Sequence, residues 1–470
     1  MNKEDICYLP ATDMARAVRD KQLSPVEITE AVLERLEDLN PGLNAFFTVT
    51  ADLAMEAAQR AEAAVADGAP LGALHGVPVS FKDSMITRGV PTTVGSKIFE
   101  HNVPDENAPV VERILSAGAI MLGKTTMPEF AWKAMTDSPL QGVTRNPWNP
   151  DCTPGGSSGG ASAQIAAGIG PLAMGTDGGG SIRIPASFTG IYGIKPSFGR
   201  IPVYPSSAFD ALSHTGPMTR TVADAALALG VAGGPHPADR LSLEGAAADQ
   251  TEALKAGIAG LRVCWSPDLG HATVDPQVAD LTSAAAQVFA ELGCHVEEAT
   301  PDFGNYAEVY RTFFRTGVAT SIAGFLDEWG AEMDPGLVNI GRAGLGLSAV
   351  DVGRAQVERH RLYDRVRRFF EEFDLLLTPT VAVPPFRAGA PSPEPEHGRG
   401  EDWIAWAPFS FPFNMTQVPA ASVPAGFTAG GLPVGLQIVG PRLADLRVLQ
   451  ASAAYEEARP WTQRRPDIGG

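Results

Sequence analysis

The sequence predicts an α/β protein in which helices are layered against a sheet of short buried strands. Helical stretches alternate along the chain with brief apolar runs too short for helices, the pattern of a layered sheet. The composition agrees: 470 residues are 44% hydrophobic and 19% charged, enough for a large core and too little charge for general disorder. No internal repeat and no linker long enough to separate domains interrupts the pattern, so residues 1–470 are read as one domain.

The elements follow in order. Ser24-Pro25-Val26-Glu27 reads as a capping box with proline at the first helical position. Ile28, Val32, Leu36 and Leu39 then share a face, and Asn40-Pro41-Gly42 should stop that helix. Ala51 to Ala66 is an Ala-rich second helix. Leu74 to Ser84 carries a short buried strand and a loop, Asp105 to Ala117 a helix, and Ala119 to Leu122 another strand. Thr144 to Arg200 is dominated by Gly, Ser and Pro. From about 235 to 350 the chain is Ala-rich and helical, with strands near Leu261–Trp265 and His295–Glu297. A long charged helix (Asp351–Phe373), a buried strand (Asp374–Thr378), a mobile surface loop (Pro384–Gly400), a late strand (Leu432–Val439) and a closing helix (Asp445–Ala458) complete the reading.

Composition also excludes functions. A net charge of −18 disfavours a polyphosphate partner, so nucleic acid is not expected. Cys7, Cys152, Cys264 and Cys294 form no CxxC pair and no zinc spacing with histidine, and read as scattered reduced thiols. The charge-free stretches Cys152–Thr176 and Trp403–Pro441 are too rich in Gly, Ser or Pro to be membrane helices, and Met1–Pro10 lacks a signal-peptide core. The expectation is a soluble cytoplasmic protein without a membrane partner, for which a homodimer remains open.

Two motifs match a pattern and fail its chemistry. Gly118 to Thr125 fits GxxxxGK[ST], but its variable positions, Ala-Ile-Met-Leu, read as a strand rather than a phosphate-cradling loop. Gly155-Gly156-Ser157-Ser158-Gly159 fits GxSxG, but Asn149-Pro150-Asp151-Cys152-Thr153-Pro154 before it cannot be the central strand a nucleophile elbow needs. His271, His295, His360 and His397 lie downstream, and none has a neighbourhood that marks it as a base.

Three segments do fit together: Ser80-Phe81-Lys82-Asp83, Pro154 to Gly160, and Gly175 to Arg183. Lys82 sits among Val77, Val79 and Phe81, where desolvation disfavours the charged amine and leaves a neutral base able to serve a serine; a plain ion pair with Asp83 is the alternative. Gly178-Gly179-Gly180 before Ser181 lets successive N–H groups converge on one point, although a simple glycine turn reads the same way. Donors of that kind are each worth roughly 10²–10³ in rate.

These residues, in this order, resemble the amidase signature family of serine hydrolases. GGSSGG is followed 24 positions after its first serine by the serine of GTDGGGSIR, with the lysine of FKD upstream. The likeness extends to Leu43–Phe46, Gly118–Phe130, Arg145–Trp148, Gly193–Pro196 and Gly431–Gln437, and is weakest from about 235 to 350. It implies a single α/β/α domain with a large mixed sheet, its signature core at about 74–200. It also implies Ser181 as acyl-accepting nucleophile, Ser157 as a bridging serine after a cis peptide, and Lys82 as base. Gly178, Gly179, Gly180 and Ser181 would supply the oxyanion N–H groups, with Ser158, Asp177 and Arg183 orienting nest and relay from behind. Many members carry a larger residue where this chain has Gly178. No metal ligands and no cofactor are expected.

The activity so implied is amide hydrolysis by the free-standing chain. The alternatives are a glutaminase-type component of a tRNA-dependent amidotransferase and a catalytically silent binding homologue. Two segments are rich in large apolar groups, Phe130, Trp132 and Met135, and Trp403, Trp406, Phe409, Phe411 and Phe413. The second is broken by Pro408 and Pro412 and cannot lie on one helix face, so Phe130, Trp132, Met135, Trp403, Trp406 and Phe409 are expected to line the substrate pocket. The substrate expected is a small-molecule amide with an apolar or aryl group.

Overall fold

The computed structural model describes residues 1–245, 250–393 and 403–468. Its strands, in chain order, are β1 (Phe46–Val49), β2 (Pro78–Lys82), β3 (Ile120–Thr125), β4 (Asp137–Ser138), β5 (Gly142–Val143), β6 (Leu172–Asp177), β7 (Tyr192–Lys195), β8 (His214–Thr219), β9 (Arg262–Trp265), β10 (His295–Glu298), β11 (Leu375–Pro379), β12 (Ala420–Phe427) and β13 (Pro433–Val439). β4 and β5 form a separate two-stranded hairpin. The other eleven make one mixed sheet in the order β1-β3-β2-β6-β8-β7-β12-β13-β11-β9-β10. β3, β2 and β6 run parallel, as do β11, β9 and β10, while the strands between are antiparallel.

Side-chain alternation shows why helices cover both faces. Leu375 and Leu377 of β11 belong to the same core as Val32, Val222, Ala285 and Val448, from four helices. Leu376 between them points to the opposite face, with Tyr310, Phe314 and Trp406. A period of two along a strand buried on both sides thus builds two cores and three layers. β2 is completely buried, flanked by parallel β3 and β6, so the polar end of its Pro-Val-Ser-Phe-Lys sequence has to find partners inside the protein.

Several boundaries differ from expectation. Ser24 Oγ accepts from the N–H groups of Val26 and Glu27, but its hydroxyl bonds Glu62 rather than completing a box with Glu27. That helix (Pro25–Leu43) runs through Pro41. Asn40 Oδ1 accepts from the N–H groups of Ala45 and Phe46 at 2.8 and 3.0 Å and turns the chain only after Leu43, where Asn44 takes the left-handed conformation. The expected helix at 105–117 begins at Pro109. β12 has no counterpart in the sequence reading because Pro424 argues against a central strand. It is tolerated beyond the three residues that pair with β7, beside a register shift. Of the loop expected at 384–400, residues 394–400 lie outside the described residues.

Leu376→Ala, at a fully buried position, should lower stability by about 2–5 kcal/mol in denaturant unfolding, as cavity-forming core substitutions do. Val350→Ala, at a position 60% exposed, should stay within about 0.5 kcal/mol.

Candidate active site

Parallel strands β2 and β6 end side by side, and their ends carry the first two components. Lys82, the last residue of β2, is fully buried, with Nζ 2.6 Å from Ser157 Oγ and 2.8 Å from Thr176 Oγ1. Burial lowers its pKa from 10.5 to about 7, against the opposing charge of Asp177. The alternative ion pair with Asp83 does not form. The Asp83 carboxylate turns to Thr93, and its nearest cation is Lys124 at 3.9 Å.

Ser157 follows a cis peptide after Gly156 and precedes the helix Gly159–Ala166. The described residues place no strand directly before it, so the GxSxG match is not a nucleophile elbow. Ser158 ties this turn to the neighbouring one: its N–H donates to Ser181 O at 3.2 Å and its hydroxyl to Thr176 O at 3.2 Å. The Gly118–Thr125 motif is mainly the buried strand β3.

Beyond Asp177 the chain makes the turn Gly178-Gly179-Gly180-Ser181 before the helix Arg183–Thr189. The N–H groups of Gly178, Gly179 and Ser181 have no acceptor among the described residues. Gly180 corrects the sequence expectation. Its N–H donates to Asp177 Oδ1 at 2.7 Å and is already spent, so the nest offers three donors rather than four. With φ at +129°, a Cβ there would lie 2.5 Å from Ser410 Oγ, so both space and conformation demand glycine. A Cβ on Gly178 would meet nothing within 4 Å, so this position opens onto free space.

Asp177 and Arg183 hold the turn from behind. Both are fully buried and joined by two bonds of 2.9 Å. Arg183 also donates to Ser410 O, Gln437 Oε1 and Asn414 Oδ1 at 3.0, 2.7 and 2.7 Å, which occupies both ends of its guanidinium. Burial alone would raise the Asp177 carboxyl, but the Arg183 charge and hydrogen bonds hold it well below the usual carboxylate range. Asn414, Gln437 and Ser410 were not anticipated. They come from segments whose sequence carries no polar motif.

Ser157, Thr176, Gly178, Gly179 and Ser181 open into a cavity of about 440 Å³. Of the six pocket residues expected from sequence, Phe130 and Trp403 line it. Trp406 and Phe409 do not: both are fully buried core, Trp406 stacked on Phe188 with centroids 6.0 Å apart. Trp132 packs instead toward Gly336, and the Met135 backbone closes against Gly156. Tyr310, Phe314, Phe209, Tyr204 and Phe99 supply the remaining aromatic wall, two of them from the helix Ala307–Ile322 in the region of weakest resemblance. Among the described residues no histidine lines the cavity and no group of side chains could hold a metal ion. None of their helices is long and apolar enough to cross a membrane.

Comparison with known proteins decides the family. Residues 27–449 match the family model described as Amidase. The chain belongs to the amidase signature family. This amidase is 42% identical to an acylamidase of Rhodococcus erythropolis, over 99% of its own length and 98% of the relative's. It is 35% identical to the A component of the glutamyl-tRNA(Gln) amidotransferase of Thermosynechococcus vestitus, covering 97% and 99%. Among solved structures, a bacterial aryl acylamidase of the amidase signature family superposes with a TM-score of 0.90 at 35% identity, over 97% of each chain. A 6-aminohexanoate cyclic dimer hydrolase gives 0.90 at 28% identity, over 99% and 100%. This amidase is an amide-hydrolysing enzyme built on the fold of those proteins.

Arg183→Met should remove the charge that compensates Asp177 and lower stability by about 3–5 kcal/mol, read by chemical denaturation, because a buried carboxylate is left unpaired.

Proposed function

We propose that this enzyme is an acylamidase that hydrolyses small amides bearing an apolar or aryl group, with Ser181 as nucleophile and Lys82 as base acting through Ser157. The observation that carries this reading is a neutral-capable, fully buried lysine hydrogen-bonded to a serine that lines an aromatic cavity. Gly178, Gly179 and Ser181 share that lining, and their N–H groups have no acceptor among the described residues.

The chemistry runs as two acyl transfers. Ser181 Oγ attacks the amide carbonyl as its proton passes to Ser157 and that of Ser157 to the Lys82 amine. The oxygen that becomes negative is met by the N–H groups of Gly178, Gly179 and Ser181, which cost no reorganisation because they carry no other bond. The proton returns along the same relay to the nitrogen, the C–N bond breaks and the amine leaves. Water then attacks the acyl ester with the relay repeating, releasing a carboxylic acid and restoring Ser181. The Thr176 hydroxyl, bonded to Lys82, keeps the amine aligned through both halves.

The wall chemistry favours this substrate class over glutamine. Among the described residues Lys133 is the one charged side chain lining the cavity, and it is already paired with Asp137 at 2.6 Å and Asp334 at 2.8 Å. That lining offers no carboxylate to receive an α-ammonium and no unpaired cation to receive an α-carboxylate. Burying those charges unmatched is costly, whereas an aryl ring meets Phe130, Phe209, Phe314 and Trp403. The names of the Rhodococcus acylamidase and the bacterial aryl acylamidase point the same way. A net charge of −18 and four free cysteines suit a small-molecule enzyme of a reducing cytoplasm.

Lys82 accepts a proton only when neutral, and its pKa of about 7 lies below that of an ordinary lysine, so activity should be lost as pH falls below 7 and level off above about 8. Lys82→Ala should abolish most amide turnover and the pH step with it, as a pH series of kcat/KM on both proteins will reveal. The substrate reading is tested by kcat/KM for a simple anilide against free glutamine. Burial of one ring at roughly 25 cal/mol per Å² favours the anilide by about 2 kcal/mol, or about thirty-fold. A ratio below one would place the amidotransferase reading first.

A further inference from the structure

The three free N–H groups share a construction that singles out Tyr310. In a planar trans peptide the N–H points away from the carbonyl of the same unit, so fixing one fixes the other. The Gly178 N–H shares its unit with the Asp177 carbonyl, which accepts from Asn414 Nδ2 at 2.8 Å. The Ser181 N–H shares its unit with the Gly180 carbonyl, held by the Ile184 N–H at 2.7 Å. The Gly179 N–H shares its unit with the Gly178 carbonyl, and the bond on that oxygen is from the Tyr310 hydroxyl, at 3.1 Å. Each free donor is thus the far end of a pinned carbonyl. Two of the pins are remote in sequence, and of these Tyr310 is also part of the cavity wall.

We infer that Tyr310 is a positioning residue for catalysis, its hydroxyl aiming the Gly179 N–H at the oxyanion while its ring forms part of the acyl-binding wall. Glycine at 179 is what permits the approach, since a Cβ there would lie 2.1 Å from Tyr310 Oη. The ring has little freedom. It is 1% exposed, tilted against Phe411 at 5.0 Å, stacked on Phe314 at 5.8 Å and edge-on to Trp403 at 5.9 Å. Burial pushes the phenol pKa well up, so the hydroxyl remains a donor throughout the working pH range. A substrate ring pressing on this wall therefore presses on a group that also sets one oxyanion donor. The acyl pocket and the nest are mechanically one unit, although Tyr310 and the nest come from opposite halves of the chain.

This inference rests on the reading of Ser181 as nucleophile, so Ser181→Ala is measured beside the Tyr310 variants. Tyr310→Phe keeps the ring and removes only the donor. For an anilide, kcat should fall at least about ten-fold, against the ~10²–10³ expected for loss of a whole donor, while KM stays within about two-fold. Binding of an aryl trifluoromethyl ketone, whose serine adduct carries the oxyanion, should weaken by the same factor as kcat/KM. Incorporating 4-aminophenylalanine at position 310 restores a para N–H donor and should recover most of the lost kcat, which a merely space-filling role would not do. A kcat for Tyr310→Phe within about two-fold of the parent would overturn the inference. So would a loss confined to KM, or an amino variant no better than Phe. If Ser181→Ala retained turnover, the nucleophile assignment itself would fall, a result distinct from any of these.

Discussion

The buried ion pair between Asp177 and Arg183 is the constraint on which the rest of the site depends. Two charges with no solvent exposure are tolerable only when every donor and acceptor is matched, and here they are matched by Asn414, Gln437, Ser410 and the N–H groups of Gly180 and Ile182. The pair is a hub. It ties the end of a parallel strand to the first turn of a helix, to an antiparallel strand from the far end of the chain, and to the glycine turn between. Asp177 takes the Gly180 N–H, while the N–H groups of Gly178, Gly179 and Ser181, residues that line the cavity, have no acceptor among the described residues.

Lys82 follows the opposite logic. Its hydrogen-bond partners are two hydroxyls rather than a carboxylate. Burial without a counterion at close range is unfavourable for an ammonium, and the amine responds by shedding its proton near neutrality. Burial lowers the nearby Lys124 as well, to about 8, but its partners differ. It is equally buried but bonded to the Met85 carbonyl and Thr92, with Asp83 close by, and it holds the loop that forms one cavity wall. Two lysines one strand apart thus do different jobs because one faces a serine and the other faces carbonyl and carboxylate oxygens.

How much of this was legible in the sequence follows from where each contact originates. Lys82, Ser157 and Ser181 lie in short segments whose glycines and apolar neighbours announce their environment, and the structure gathers their segments around one cavity. Tyr310, Asn414 and Gln437 could not be read, because they meet Gly178, Asp177 and Arg183 across separations that only the tertiary fold sets. Trp406 and Phe409 show the limit of counting aromatics: density predicts burial, but only the packing of Phe188 and Phe386 against Trp406 decides that it is core rather than cavity wall. The helix overruns Pro41 and turns only where Asn40 Oδ1 receives the Ala45 and Phe46 N–H groups. β12 passes through Pro424 beyond its pairing with β7 and beside a register shift, so neither proline acts as a stop.

The strand order carries a consequence for how the protein is made. The two strands latest in the described chain, β12 and β13, take their places in the middle of the sheet rather than at its edge. Arg183 meets Ser410, Asn414 and Gln437 across 227, 231 and 254 residues. Until those segments arrive, the growing chain holds an unfinished sheet and a buried charge pair with half its partners missing. Such non-local closure is slow, and it leaves exposed strand edges open to wrong pairing. Completion of the Asp177–Arg183 hub therefore waits on β13, because Gln437 is the last of its partners along the chain.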